Sequence, residues 1–512
     1  MTVRWGRCIN IRKCKDAKQR QQIPIHEGDA FVCPECAEPL LDENAVAPPE
    51  VYATPGKKPS AAFLVAVAVS LLLIAGIAGF ATWWGRLHSA NAATSKTILR
   101  LAGSNTIGDT LGPSLAEAFL KDQGATDVRI LPGANPQEKI VEGVLPGSST
   151  ASSITIAAHG SATAFTALAE NSCDIGMASR KIKPDEAAKL TSLGNMFSVS
   201  NEHILGLDGI AVIVNAANPA DQLDKGQIMR IFTGEITDWS QVGAYRGLIK
   251  VYARNDNSGT YDTFKSLVLG SKPLAPGAQR IEDSKALSDA VAADPYGIGF
   301  IGLPYIQNSK PIAVSDKGTL ALLPTRLTVE TEDYLLARRL FLYTPTNSSN
   351  VFTRQFVEFA ISRKGQDVVG ASGFVAQNVA QVAQIVSENA PAEYKWLTRD
   401  ANRLSLNFRF QSGQTSLDNK ATVDLDRVVS LIADLNIPED KIMLFGFSDS
   451  TGAPAANQEL SLSRAQVVER QLTLRGMKPS IVRGFGSGLP VASNDSEDGQ
   501  ARNRRVEIWI KK

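Results

Sequence analysis

Charge of one sign accumulates nowhere in this chain: 53 basic side chains stand against 52 acidic ones over 512 residues, a net charge of +1, and like-charged runs are short. The balance gives no electrostatic reason to expect nucleic acid as a partner. Enzyme signatures are missing too. There is no GxSxG elbow, no HExxH helix and no carboxylate-rich metal cluster, so no enzyme is expected. Cysteine is scarce and uneven, with four of the five before residue 40 and Cys173 alone in the long remainder. That asymmetry points to a reducing compartment on the N-terminal side of the one long apolar run.

That run, AAFLVAVAVSLLLIAGIAGFATWW from Ala61 to Trp84, carries no charge and is bounded by Lys57-Lys58 and Arg86. As a helix it would span about 36 Å, enough to cross a hydrocarbon core of roughly 30 Å with some tilt. Trp83 and Trp84 fall where an interfacial anchor belongs. A buried core helix rarely runs so long with apolar residues on every face. The basic residues flanking the run are too evenly placed to set its orientation. A chain of this length calls for about three to four domains, so different segments are expected to do different work.

Before the apolar run, Cys8 and Cys14 are separated by five residues, and Cys33 and Cys36 by two, in CPEC. The second pair has the knuckle spacing that lets two thiolates share a tetrahedral zinc; the first is wider than usual. The pattern supports a structural zinc ribbon over 1–40 with all four thiolates as ligands. Two disulfides, a redox CxxC and unbound thiols are the alternatives, and His26 reads as a loop histidine. So small a segment would fold only with its metal. Residues 41–60, rich in Pro, Ala and acids, read as a linker.

From Thr97 to Ala392 short β-branched runs alternate with helical stretches, an α/β pattern. GSNTIGD (Gly103–Asp109) and NDNSGTYD (Asn255–Asp262) each place hydroxyls and small-residue amides before a helix, and HGSATAF adds Ser161. Converging helix starts offer unpaired N–H groups to an oxyanion, and Arg254 could add a bidentate contact. Read singly, each loop is an ordinary N-cap.

Together with DIGMASR, IMRIFTGEITDWSQV and YGIGFIGL, in this order, these phrases resemble the phosphate-binding proteins of phosphate importers. The resemblance implies a two-lobed periplasmic binding fold of type II over 97–392. It also implies phosphate contacts from Thr106, the Ile107 amide, Ser161, Arg254, Ser258, Gly259 and Thr260. IFTGEITDW is expected to serve lobe packing. One position departs from the family pattern: Arg180 stands where an aspartate reads the proton on phosphate, which puts discrimination against sulfate in doubt. Either Arg180 joins the phosphate contacts or it turns outward to pair with Asp174 or another acid. Cys173 reads as a core thiol, and His159 and His203 as structural.

The last segment alternates apolar residues at Leu404, Leu406, Phe408 and Phe410, as a half-buried strand does. Leu425, Val428, Val429, Leu431 and Ile432 mark a helix face. A second helix follows, with Leu460, Val468 and Leu472 expected toward the core and Gly476 as its stop. GFSDSTG, NQELSLSRA, PVASN and ARNRRVEIWI resemble the α+β OmpA-like peptidoglycan-binding domain, over 403–512. The resemblance implies that Asp449 and Arg464 grip the ammonium and carboxylate of diaminopimelate, with Thr451 and Asn457 shaping the turn. The other reading is an Asp449–Arg464 salt bridge that serves only the fold. Arg504 and Arg505 would touch glycan or cap the domain.

A wall-binding module lies outside the inner membrane, which orients the span: ribbon cytoplasmic, everything after it periplasmic. The expected protein is a single-pass, multidomain inner-membrane protein whose partners are an oxyanion, peptidoglycan and an ABC permease. The alternative is an envelope sensor or scaffold acting on an unknown cytoplasmic partner.

Overall fold

A computed structural model describes residues 3–7, 22–26, 32–33, 41–42, 95–256, 258–383, 386–410 and 416–512, in two compact units, Met1–Ala90 and Asn91–Lys512. In the first unit, strand Val3–Arg7 pairs antiparallel with Gln22–His26 on one edge and Leu41–Asp42 on the other. Cys33 is buried. Cys8, Cys14 and Cys36, and the expected span at residues 61–84, lie outside the described residues. Among the described residues no helix is long and apolar enough to cross a membrane, and no cluster of His, Cys, Asp or Glu could hold a metal.

The second unit is organised by an 11-stranded sheet that runs through both lobes. Its spine is a pair of long antiparallel strands, Glu202–Val214 and Ala337–Tyr343, paired from Gly209 opposite Ala337 to Glu202 opposite Tyr343 with a register shift between Leu340 and Phe341. The first is EHILGLDGIAVIV, apolar over most of its length because both faces are covered. On one side Lys96–Gly103 runs parallel to Ser152–Ala157 and Ile175–Ala178, and Leu99, Phe119, Ile154 and Phe356 fill the core there. On the other side Ile210, Phe232, Trp239, Phe264 and Phe300 form the second core. Phe264 and Phe300 stack at 3.9 Å, and the Trp239 indole donates to the Tyr296 carbonyl at 3.0 Å. The IFTGEITDW phrase therefore serves lobe packing: Ile231, Phe232, Ile236 and Trp239 are all buried in this core.

The C-terminal domain is a five-stranded sheet ordered Gln381–Val382, Ala401–Arg409, Arg505–Lys511, Ile442–Gly446, Ile481–Gly484. Leu404, Leu406, Phe408 and Phe410 are all buried, but so are Ser405, Asn407 and Arg409 between them, so the strand is covered on both faces and not half-buried as its alternation suggests. Strand Gln381–Val382 and helix Ala392–Thr398 belong to this sheet's packing although they precede Arg403. Tyr394, on that helix, meets Phe445, Phe447, Phe485 and Trp509 edge-on.

One expectation fails in helix Pro454–Thr473: Leu460 is 36% exposed. The buried face instead runs Asn457, Ser461, Arg464, Ala465, Val468, Leu472, so polar residues occupy its N-terminal half. Gly476, at φ 82°, does end this segment, in the left-handed conformation that glycine adopts without strain.

Candidate functional site

Between the lobes lies a cleft of about 300 Å³ whose lining includes Asn105, Thr106, Asp109, Arg254, Thr260 and Arg338. Thr106 sits in the short helix Asn105–Gly108 after strand Lys96–Gly103, and Thr260 lies in the first turn of helix Gly259–Phe264 from the opposite lobe. Their hydroxyl oxygens are 3.5 Å apart. Ser258 caps the second helix, accepting from the amides of Thr260 and Tyr261 at 3.2 and 3.4 Å. Gly259 is demanded by proximity, because a Cβ there would come within 2.2 Å of Ser179 Oγ and 3.0 Å of Ser161 Oγ. Ser161 is buried beneath this contact, accepting from the Ser179 amide at 3.0 Å. The side chain of Ile107 packs into the first lobe's core.

Arg254 is only 8% exposed. It donates to Ser284 Oγ at 2.5 Å, and its buried Nε has no partner. Burial, and then repulsion from Arg338, lower its pKa. Arg338 comes from Ala337–Tyr343, one of the two spine strands of the sheet that runs through both lobes, and so the hinge strand between them. Its Nε and Nη2 are held by Asp208 Oδ2 at 3.0 and 2.6 Å, a fully buried pair. From there it donates to the Gly259 carbonyl at 3.0 Å, to Thr260 Oγ1 at 2.9 Å and to Thr106 Oγ1 at 3.4 Å. Arg338 thus touches both lobes at once, and reading the sequence missed it. A signal was available: YLLARRLFLY places two arginines inside an apolar run, which requires buried partners.

Arg180, included among the expected phosphate contacts, does not line this cleft and takes the other course left open for it, pairing with acids. Its guanidinium makes a fork with Glu186 at 2.6 and 2.8 Å and donates to Asp262 at 2.8 Å, over the ring of Phe165. Asp174, named as its alternative partner, pairs with Arg100. Cys173 is a core thiol, its pKa pushed up to about 12 by burial. His203 bonds Thr344 Oγ1 at 2.9 Å, and burial lowers its pKa to about 4.

A second candidate site lies in the C-terminal domain. Gly446 lets helix Pro454–Thr473 approach its strand so closely that a Cβ there would stand 2.0 Å from the Ser461 carbonyl. That approach sets Arg464 against the sheet, 3% exposed, over the Phe410 ring at 5.5 Å. Its Nε and Nη1 have no hydrogen-bond partner. Burial and the nearby Arg504 lower its pKa to about 10 against the pull of Asp449. Asp449 accepts from the Thr451 amide at 2.9 Å and from Arg504 at 3.2 Å. Burial opposes its charge, yet Thr451 and Arg504 hold its pKa below the usual range. Among the described residues no ion pair joins Asp449 to Arg464; Arg504 takes the aspartate instead. Asn457 is buried on the same helix face as Arg464.

A family model described as a PBP superfamily domain matches residues 89–364, and the OmpA family model matches 409–504. The chain belongs to the PBP superfamily and carries a C-terminal OmpA-family domain. The phosphate-binding protein PstS of Staphylococcus aureus (strain bovine RF122 / ET3-1) is 30% identical over 226 residues, which are 42% of this chain and 67% of that protein. Two solved structures resemble the PBP-type domain. An ABC-type phosphate transport receptor from Vibrio cholerae is 23% identical, covering 54% of this chain and 99% of that one, with a TM-score of 0.43. PstS from Borrelia burgdorferi is 22% identical, covering 55% and 99%, with a TM-score of 0.38.

Proposed function

We propose that this PBP-superfamily protein captures phosphate or a related oxyanion between its lobes, and attaches non-covalently to peptidoglycan through diaminopimelate. One observation carries the first half: two buried guanidiniums, Arg254 and Arg338, face one cleft, and the Nε of Arg254 lacks a partner. Two cations that repel each other gain from a dianion set between them, and charge-assisted bonds to them are the strong ones. Thr106, the Ile107 amide, Ser161, Arg254, Ser258, Gly259 and Thr260 are the assigned contacts, with Arg338 added and Arg180 left to its carboxylates.

The open Nε and Nη1 of Arg464 support the second half, since a buried guanidinium edge without an acceptor suits a ligand carboxylate. Asp449 would take the ligand's ammonium, with Thr451 and Asn457 shaping the pocket. The span at 61–84 would hold the protein in the inner membrane, and Cys8, Cys14, Cys33 and Cys36 would bind structural zinc on the cytoplasmic side; both rest on the sequence alone.

The second reading, a sensor or scaffold in place of a carrier that feeds a permease, is favoured by the docking of the C-terminal domain on the hinge segment. Calorimetric titration of the detergent-solubilised full chain, stripped of ligand, tests the primary reading with phosphate and then sulfate. Binding that Arg254→Ala removes supports it. Absence of heat with either anion, from a folded chain, leaves only the scaffold.

A further inference from the structure

The strand that delivers Arg338 to the cleft does not emerge from the binding domain alone. Immediately before it, residues 330–337 are enclosed by side chains of the OmpA-family domain. Arg502 donates to the carbonyls of Glu332 and Tyr334 at 2.9 Å each and to that of Ala337 at 3.2 Å. Arg409 donates to the carbonyls of Thr331 and Glu332 at 3.0 and 3.1 Å and to Glu332 Oε2 at 3.1 Å. Asn407 reaches the Thr331 carbonyl at 2.8 Å and Asp333 Oδ1 at 2.9 Å. Just past Arg338, Arg339 pairs with Glu332 at 2.6 Å and with Asp418 of the C-terminal domain at 2.8 Å.

Within this enclosure Glu332 holds φ at 57°, a left-handed conformation that costs a non-glycine residue free energy and persists only where its surroundings over-determine it. Its surroundings are the three arginines just named. Carbonyls capped by a buried guanidinium fork have little freedom to move, because releasing them leaves buried acceptors unsatisfied.

We infer that the OmpA-family domain is a working part of the interlobe site: Arg502 and Arg409 are positioning residues that fix residues 331–337 and so aim Arg338 at Thr106, Gly259 and Thr260. Arg502 does not line the cleft; its influence passes through the backbone of 332–337 to the neighbouring residue. The inference rests on the reading of the cleft as an anion site.

The test uses the detergent-solubilised full chain and inorganic phosphate, followed by calorimetry, with thermal melting to confirm folding. Arg502→Ala weakens phosphate binding by roughly three- to thirtyfold, the range of couplings carried through packed networks. Arg475→Ala removes an exposed pair with Asp426 elsewhere in the same domain and leaves the affinity unchanged. In an Arg338→Lys background the Arg502→Ala effect disappears, which a general loosening of the fold would not produce.

Two milder variants decide the matter if Arg502→Ala fails to fold. Arg502→Lys keeps the charge but not the fork. Asp418→Asn keeps the helix cap that Asp418 provides to Ala421 while cutting its pair with Arg339. Folded variants that bind phosphate as the unaltered chain does overturn the inference, as does an Arg502→Ala effect undiminished in the Arg338→Lys background. An unaltered chain that takes no phosphate is a different failure, that of the anion reading itself.

Discussion

Glu330 makes the junction between the two domains sensitive to pH in a direction the structure specifies. Its carboxyl is 5% exposed. It accepts from Ser405 Oγ of the C-terminal domain at 2.8 Å, with Arg326 at 3.7 Å and Lys420 and Asp424 also within its field. Burial outweighs the help from Ser405, Arg326 and Lys420 and pushes its pKa from 4.5 up to about 7. Between those values the folded chain keeps a proton that the unfolded chain releases. Stability therefore falls as pH rises through this window, and the full penalty is in place above about pH 7. At ~1.4 kcal/mol per pH unit the displacement amounts to roughly 3 kcal/mol.

Glu330→Gln keeps an acceptor for Ser405 and cannot ionise. The variant is expected to be more stable than the unaltered chain at pH 8 by up to roughly 3 kcal/mol, and nearly equal to it below pH 4.5. Urea denaturation from pH 4 to 8, followed by tryptophan fluorescence, reads the difference as a shift in midpoint at constant slope. Trp509, in the same sheet as Ser405, reports on the domain concerned. Parallel curves for the two proteins across that range would falsify the assignment of a buried, half-ionised carboxyl to the junction.

Three further outcomes follow from close contacts. Gly259→Ala drives a methyl against Ser179 Oγ, at 2.2 Å before relaxation; the displaced 258–260 turn is expected to weaken phosphate binding about tenfold or more, measured by the same calorimetry. Gly446→Ala meets the Ser461 backbone carbonyl at 2.0 Å, an overpacking that costs about 1–3 kcal/mol and lowers the melting temperature of the C-terminal domain. Arg464→Lys keeps the charge and the stem packed by Phe410 but removes the guanidinium edge, whose Nε and Nη1 have no hydrogen-bond partner, so sedimentation with purified sacculi is weakened while the melting temperature changes little; unchanged sedimentation places the wall contact elsewhere.

Local pattern carried the strands and most of the helix faces. Leu404 to Phe410 alternate and are buried, and the motif loops ending in Thr106 and Thr260 do meet in one cleft. What escaped depends on residues far apart in sequence. Helical spacing puts Leu460 on one face with Val468 and Leu472, which predicts it in the core. Instead Gly446 and Gly484 bring the helix so close at Ser461 that small and polar residues must face the sheet. Arg338 went unread because its partner, Asp208, lies 130 residues away on the neighbouring strand. The junction was invisible for the same reason. Arg409 and Arg502 appear as surface charges until the carbonyls of 331–337 are seen to end on them. Arg180 shows the limit of carrying a motif across: its position matches the family phrase, but Glu186, six residues on, and Asp262, from the other lobe, decide where it points.

The two candidate ligand sites share one short helix, and that has a measurable consequence. Helix Glu497–Asn503 carries Arg502, which caps the hinge carbonyls, and is followed at once by Arg504, which holds Asp449 at 3.2 Å and Glu497 at 2.7 Å. On the proposed reading, a diaminopimelate ammonium bound at Asp449 would compete with Arg504 for the same carboxylate, and a carboxylate on Arg464 would offset the repulsion between Arg464 and Arg504. Both changes alter the forces on the helix that positions the hinge. Linkage then requires that diaminopimelate change the phosphate Kd by the same factor as phosphate changes the diaminopimelate Kd, and couplings of this kind typically amount to about fivefold or more. Titrating the full chain with each ligand, alone and with the other at saturation, yields both factors. Arg502→Ala should bring them to one while leaving diaminopimelate binding in place, because it cuts the path and neither terminus. If both ligands bind the unaltered chain and neither Kd moves, the helix transmits nothing, and the hinge is held by the C-terminal domain as a static support.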